Sequence, residues 1–419
     1  MGALLDSLAS AGADVAVDHD VLDAIVRDGL PGSRSEAWKY TSLRQLERRQ
    51  FAPARFAPEV DVEPLAHIPA PRLVFVNGFH SRTLSCLDDL PAGVSLRPRS
   101  ATTLDASAED AVTDTGNTRV DAVFTRLATA LAREGAWLHV EAGVQASIPV
   151  HLVFVSTGDG EDRAWHLRNV LELGEGATLT LVEHQISASQ NANLGNGHAR
   201  IRVGRGAQLT HARLQRDGDR MTSLLRTDAL LDEDARYHRF DLELGSGLSR
   251  HELNVRLEGK RARLLANGVL LADRRRHVDT RLGIAHLGRD SASELVWRGL
   301  GTDRGRVVFH GGIVIHAGAD GTDANLSNKN LLLSANAEVD SQPVLEIHAD
   351  EVKAAHGATV GQLDGNALFY LRSRGLPETE ARKLLVAAFC REPLAAAGSA
   401  LREQLQHAVD TALQELDRP

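Results

Sequence analysis

The residues best able to do chemistry lie close together, in Glu346-Ile347-His348-Ala349-Asp350-Glu351 and, just beyond, in Lys353-Ala354-Ala355-His356-Gly357. Read as a strand over 344–350, the first run alternates. Leu345, Ile347 and Ala349 turn to a core, and Glu346, His348 and Asp350 share the outer face. Two carboxylates and an imidazole at i, i+2 and i+4 can meet a metal ion or act as acid and base. A solvated strand face carries the same residue types, so the pattern alone selects neither. His356 stands beside Gly357, where a second backbone can approach closely. Neutral imidazole binds iron and zinc well, but a His before a Gly is also common in purely structural roles. His310 and His316 read as packed or surface histidines on a strand pair around Gly311-Gly312.

Several self-contained chemistries are missing. The sequence has no G-x-x-x-x-G-K-[ST], no G-x-G-x-x-G after a strand, and no H-E-x-x-H, G-x-S-x-G or paired C-x-x-C. That moves weight from a free-standing catalyst to a binding or assembly role. Cys86 and Cys390 are the only cysteines, too few for a disulfide framework or a four-thiolate site. A net charge of −9 argues against nucleic acid, whose phosphates need neutralising by Lys and Arg. The run Arg274-Arg275-Arg276 reads as solvated surface. The opening MGALLDSLAS has no basic n-region, and no stretch nears the ~18 apolar residues of a membrane span. A soluble, cytoplasmic chain with no membrane contact is expected.

The elements that position these residues follow from pattern. A chain of 419 residues exceeds one compact core, so subdivision or elongation is expected. Aromatics are only 4%, so the interior must be filled by Leu, Val, Ile and Ala, which suits narrow cores of stacked strands. Residues 1–30 look helical, with Leu4, Leu5 and Leu8 on one face and Val21, Leu22, Ile25 and Val26 on another. Pro31-Gly32-Ser33 breaks the run. Five prolines over 51–71 suggest an extended connector. Leu73–Val76 reads as a strand and 100–117 as polar loop. Val120, Val123, Phe124, Leu127, Ala128 and Leu131 recur at helical spacing, with Gly135 as the helix's closing residue.

From about 136 to 365 short aliphatic runs alternate with Gly, Asn and Asp, with no helix of normal length between them. Gly174-Glu175-Gly176-Ala177-Thr178-Leu179 recurs as Gly204-Arg205-Gly206-Ala207-Gln208-Leu209. Such repeats can stack as coils of a parallel solenoid; strand count alone also allows a β-sandwich. Past 366 the helical period returns. Arg374-Gly375 ends one helix and Pro377 opens the next, with Glu378 and Glu380 in its first turn. Ala381, Leu384, Leu385, Ala388 and Phe389 form one apolar stripe. Leu401, Leu405, Ala408, Ala412 and Leu416 form another.

Several separated stretches together resemble the SufB/SufD family of SUF iron–sulfur cluster assembly proteins. They are Pro343 through Gly361, Asn328-Lys329-Asn330-Leu331-Leu332-Leu333-Ser334 and Phe369-Tyr370-Leu371-Arg372-Ser373-Arg374-Gly375. Glu36-Ala37-Trp38-Lys39-Tyr40-Thr41 is similar to the E-x-W-K-Y-T element of the SufD branch. The likeness runs from near residue 30 to the C-terminal helices.

The resemblance implies a mainly β protein: a right-handed parallel β-helix core over 136–365, flanked by α-helical N- and C-terminal domains over 1–135 and 366–419. It implies a non-catalytic scaffold subunit. Its partners would be SufB, through the β-helix, and the ATPase SufC, through the C-terminal helical domain. Leu384, Leu385, Ala388 and Phe389 are candidates for that docking. The resemblance makes His356 the metal-site candidate, a ligand to a nascent Fe–S cluster shared with SufB. Ala354 stands where some relatives carry a Cys, so this chain offers no thiolate there. The isolated chain is expected to carry no cofactor, and reduced flavin is a further candidate in the complex. End strands of a solenoid need covering, so a homodimer is open to the isolated chain. The competing reading is a β-helical carbohydrate-active lyase or hydrolase using Glu346, Asp350 or Asp340. It expects aromatic sugar platforms, and the chain has only four Trp and three Tyr.

Overall fold

A computed structural model describes residues 2–12, 19–32, 34–61, 63–100 and 120–416. The expected 100–117 loop lies outside these except for Ser100. The aliphatic runs lengthen into strands, many of them ten residues long, that alternate between two ten-stranded sheets. The first sheet ends on Arg306–Ile315 and Glu338–Ile347, the second on Asp323–Leu332 and Lys353–Gly361. From Val150 onward, neighbours within each sheet are parallel and next-but-one along the chain. That is a parallel β-helix. A sandwich built from hairpins would pair consecutive strands antiparallel.

The repeat seen in the sequence sets the register. Gln208 pairs with Thr178 and Leu209 with Leu179. Each coil turns a corner through one residue with positive φ: Gly176 (65°), Gly206 (64°), Asp234 (56°), Arg261 (59°) and Asp290 (57°). Each donates its N–H to a carbonyl of the following coil. Glycine and aspartate tolerate that conformation; Arg261 does not favour it, and is held by Asp234 and Glu233.

The strand column also takes in residues before 136. Arg72–Val76 lies parallel to Val150–Ser156, and Val94–Ser100 lies antiparallel to Glu134–Val140. Gly135 is therefore inside a strand and caps no helix. The helix before it, Val123–Leu131, ends at Leu131. A side chain at Gly135 would run into the Arg168 backbone, which explains the glycine. Gly311-Gly312 marks no turn either, since Arg306–Ile315 is one strand and His310 sits in its middle. Arg276 is not solvated: with Arg274 it clamps Asp219, and it also pairs with Asp273 at 2.9 Å.

Helices α1 (Ala3–Gly12), α2 (His19–Asp28) and α3 (Val123–Leu131) pack on the outer face of the first sheet. Leu4, Leu5, Leu8, Leu22, Ile25 and the α3 stripe meet Leu194 and Leu224 there. Helices α4 (Gly365–Ser373), α5 (Glu378–Arg391) and α6 (Ser399–Glu415) follow the last coil. Leu405, Ala408, Val409 and Ala412 of α6 cover Phe240, Leu242 and Val269 on the outer face of the second sheet. Among the described residues no helix is long and apolar enough to cross a membrane.

Candidate functional site at the open end of the β-helix

Glu338–Ile347 and Lys353–Gly361 each close their sheet and pair on one side only. Their far edges present unpaired backbone groups, a ready template for another strand. Ile347 and Val360 are 45% and 48% exposed, although their pairing partners Ile315 and Asn330 are buried. The cause is position: no further coil lies over them.

His356 owes its exposure to the same cause. Register places it in one row with Leu326, Leu295, Ala266, Arg239 and His211. Every one of those residues points into the interior and is buried. The imidazole thus occupies a core position on the last coil, which leaves the core open, and it is exposed.

The other expected ligands do not gather around it. Glu346 ends the outer row of its strand, and its carboxylate lies 3.9 Å from His348 Nε2, with both side chains well exposed. His348 is already past the strand, held by its N–H donating to the Ile315 carbonyl at 2.8 Å. Asp350 lies in the turn that follows. The trio at i, i+2 and i+4 therefore shares no strand face, and Ile347 is not in the core. Among the described residues no group of three or more His, Cys, Asp or Glu is placed to hold a metal ion. His356 can supply one ligand to a shared site.

At the C-terminal end, α5 buries Ala381, Val386 and Cys390. Phe389 is partly covered, with the Arg298 guanidinium 5.8 Å from its ring centre. Leu385 is partly covered too, while Ala388 and Leu384, the latter 52% exposed, face outward. Leu384 borders a groove of ≈ 810 Å³ with Leu333, Leu363, Lys383 and Leu413.

Residues 154–389 match the family model described as SUF system FeS cluster assembly, SufBD core domain. The chain belongs to the SufB/SufD family. It is 32% identical over 379 residues to the iron–sulfur cluster assembly protein SufD of Escherichia coli, covering 88% of this chain and 86% of that one. A SufBD family protein of Synechocystis is 31% identical over 395 residues, 89% and 86% of the two chains. The iron–sulfur cluster assembly protein SufB of Bacillus subtilis is 26% identical over 272 residues, 64% and 58% of the two chains. Membership displaces the carbohydrate-active alternative.

This SufB/SufD-family chain also holds a group that reading the sequence missed. Glu183, His211, Arg213, Arg239, Asp241, Glu243 and His251 all lie inside the coils, each at most 6% exposed. Arg213 Nε donates to Asp241 Oδ1 at 3.0 Å, and Arg239 Nη2 donates to the same oxygen at 2.7 Å. Burial disfavours the Asp241 charge, but the guanidiniums of Arg239 and Arg213 outweigh it and hold the carboxyl well below its usual range. Burial pushes His251 well down, so it is neutral. A cavity of ≈ 60 Å³ lies beside the group, between Arg213, Glu183 and His251 on one side and Phe154, Trp165 and Met221 on the other. The available signal was alternation in Tyr237–Glu243, but it points the wrong way. Phe240 and Leu242 face outward, beneath the C-terminal helices, and the charges face in.

Cys390 is fully buried, and burial pushes its thiol up to about 12. Such a thiol is neutral and inert.

Proposed function

We propose that this chain is a non-catalytic scaffold subunit of the cytoplasmic SUF assembly complex. It pairs with the paralogue SufB across the open end of the β-helix. His356 offers an imidazole there to the nascent Fe–S cluster, which is the complex's product and not a resident cofactor. The C-terminal helices dock the ATPase SufC, with Leu384, Leu385, Ala388 and Phe389 at the contact.

The observation that carries this reading is the placement of His356 in an interior row on the uncovered coil. A partner coil laid over that edge would enclose the imidazole in a low-dielectric seam, where ligand exchange with water is suppressed. Iron bound there would be shared with ligands from SufB, since the described residues of this chain assemble no complete set. Without SufB, the same edge is available to a second copy of this chain.

The test is His356→Ala in the complex co-expressed with SufB and SufC. The three subunits should still co-purify in normal proportion, while iron and sulfide recovered with them collapse. Normal iron and sulfide in that variant removes His356 from the mechanism.

A further inference from the structure

Asn328-Lys329-Asn330 is part of the family resemblance, yet cluster ligation gives it no task. The strand Asp323–Leu332 alternates, so Lys329 is exposed while Asn328 and Asn330 turn inward, 0% and 2% exposed. They lie in the layer directly beneath the open end. Register sets Asn328 beside Ala358 and Asn330 beside Val360.

Their hydrogen bonds run across the interior. Asn330 Nδ2 donates to the Thr359 backbone carbonyl at 3.1 Å and to Asn328 Oδ1 at 2.7 Å. Ser341 Oγ donates to the same Asn328 oxygen at 2.7 Å. A carbonyl only accepts, so Thr359 fixes which way the Asn330 amide points, and Asn330 in turn fixes Asn328. Thr359 is on the end strand that carries His356, and Ser341 is on the end strand of the opposite sheet. Two side-chain amides thus join the two unpaired edges from within.

Stability alone does not account for them. Asn328 Nδ2 and Asn330 Oδ1 find no hydrogen-bond partner among the described residues. A buried polar group left unpaired is destabilising, and an apolar pair of similar volume would avoid that loss. Leu326, two residues earlier on the same inward face, shows that the interior accepts such a filler. The space is also shaped for the amide, since a methyl group at Gly299 would overlap Asn330 Oδ1.

We propose that Asn328 and Asn330 are positioning residues that fix the separation of the two end strands, and hence where His356 stands when the open end is covered. An edge strand has a neighbour on one side only and splays easily. A tie from inside restrains it while leaving its outer hydrogen-bonding edge free for a partner. The proposal rests on the reading of His356 as a cluster ligand.

The experiment uses the full chain carrying Asn328→Leu and Asn330→Leu. Amide hydrogen exchange is measured on the isolated chain, and iron and sulfide on the complex with SufB and SufC. Exchange over 353–361 should quicken about tenfold, the effect of losing one strand-anchoring hydrogen bond, with 222–231 unchanged. The complex should form normally and carry several-fold less cluster. Asn328→Asp keeps the accepting oxygen and is expected to stay within about threefold of the parent in exchange. Should the double variant not fold, Asn330→Ala removes only the tie and is read in the same way. Unchanged exchange over 353–361 overturns the tie. Faster exchange with normal cluster content, in a complex where His356→Ala is defective, overturns the positioning role. If His356→Ala itself yields normal cluster, the ligand reading fails and the positioning role with it, while exchange still decides whether the tie exists.

Discussion

The guanidinium of Arg250 lies over the indole of Trp38, 3.7 Å from the ring centre. Arg250 is itself buried, paired with Asp279 and Glu252 at 2.6 Å each. Thr41, three residues after Trp38, donates to Asp279 at 2.5 Å. Glu36 accepts from Gln342 of the last coil at 3.0 Å. The E-x-W-K-Y-T element is therefore an internal anchor. It fastens the N-terminal helices to the outer face of the first sheet and reaches the strand that borders the open end.

Trp38→Ala is expected to cost about 3–5 kcal/mol, the usual range for emptying a buried tryptophan site. Trp38 also packs on Phe124, ring centres 5.6 Å apart, so α3 loses its support as well. Thermal unfolding gives the magnitude. Limited proteolysis gives the location, with cleavage near residues 30–60 appearing before any in the β-helix. Early cleavage inside the coils instead would contradict the anchor.

Gly135→Ala adds a single methyl group where the Arg168 backbone already lies. Neighbouring parallel strands cannot part without losing ladder bonds, so the clash is not relieved cheaply. A loss of about 2–3 kcal/mol is expected, at the upper end for overpacking. Denaturant unfolding checks it. A change below half a kilocalorie would mean that the strand edge is softer than its register implies.

Acid should destabilise the chain through its interior. His151 and His184 are buried with Nδ1 and Nε2 3.1 Å apart, and burial pushes them down to about 4 and about 3. Burial likewise lowers His166 to about 3 and His286 and His310 to about 4. In the unfolded chain these groups titrate near 6.5. Below that pH the unfolded chain binds protons that the folded chain refuses, so stability falls as pH drops from about 6.5 towards 4. Each group contributes at most about 1.4 kcal/mol per pH unit. Asp217 acts the other way. Burial raises it to about 6, so the folded chain takes up that proton first, and stability is regained between about pH 6 and 4. Five histidines outweigh one carboxyl. The melting temperature should fall from pH 7 to pH 5, and less steeply in His184→Gln. Equal slopes in parent and variant would rule out His184 as a contributor.

The strand column was legible because its coils repeat: glycine corners and aliphatic runs recur at a spacing that survives divergence. The helices were legible through Leu4, Leu5, Leu8 and the α3 stripe, each with one buried face. Two kinds of feature were not. Gly135 and Gly311-Gly312 look like breaks because glycine usually is one; here strand neighbours and packed side chains crowd the Cβ position, which only coordinates reveal. Alternation in Tyr237–Glu243 was ambiguous because both faces of the second sheet are covered, and the sequence does not say which cover is apolar. The site was half legible. His356 stood out by its motif, but its exposure comes from lying on the last coil, a property of position and not of residue type.

Substitutions on α5 can separate folding from the proposed docking. Leu384 is 52% exposed and makes none of the buried contacts that hold the C-terminal domain to the sheet, which come from Val386, Cys390, Leu394 and Leu405. Leu384→Glu should therefore leave the melting temperature unchanged, as surface substitutions usually shift stability by under about 0.5 kcal/mol. Placed in an apolar contact, the same carboxylate must be desolvated without a partner, which weakens association about a hundredfold or more. Capture of SufC by the immobilised chain measures this directly. Arg298→Ala is the counterpart. It removes a buried guanidinium that pairs with the half-exposed Glu392 at 2.8 Å, so it should lower both stability and capture by loosening the whole domain. If Leu384→Glu retains full capture while Arg298→Ala loses it, the contact lies elsewhere on the C-terminal helices and the exposed face of α5 is not the docking surface.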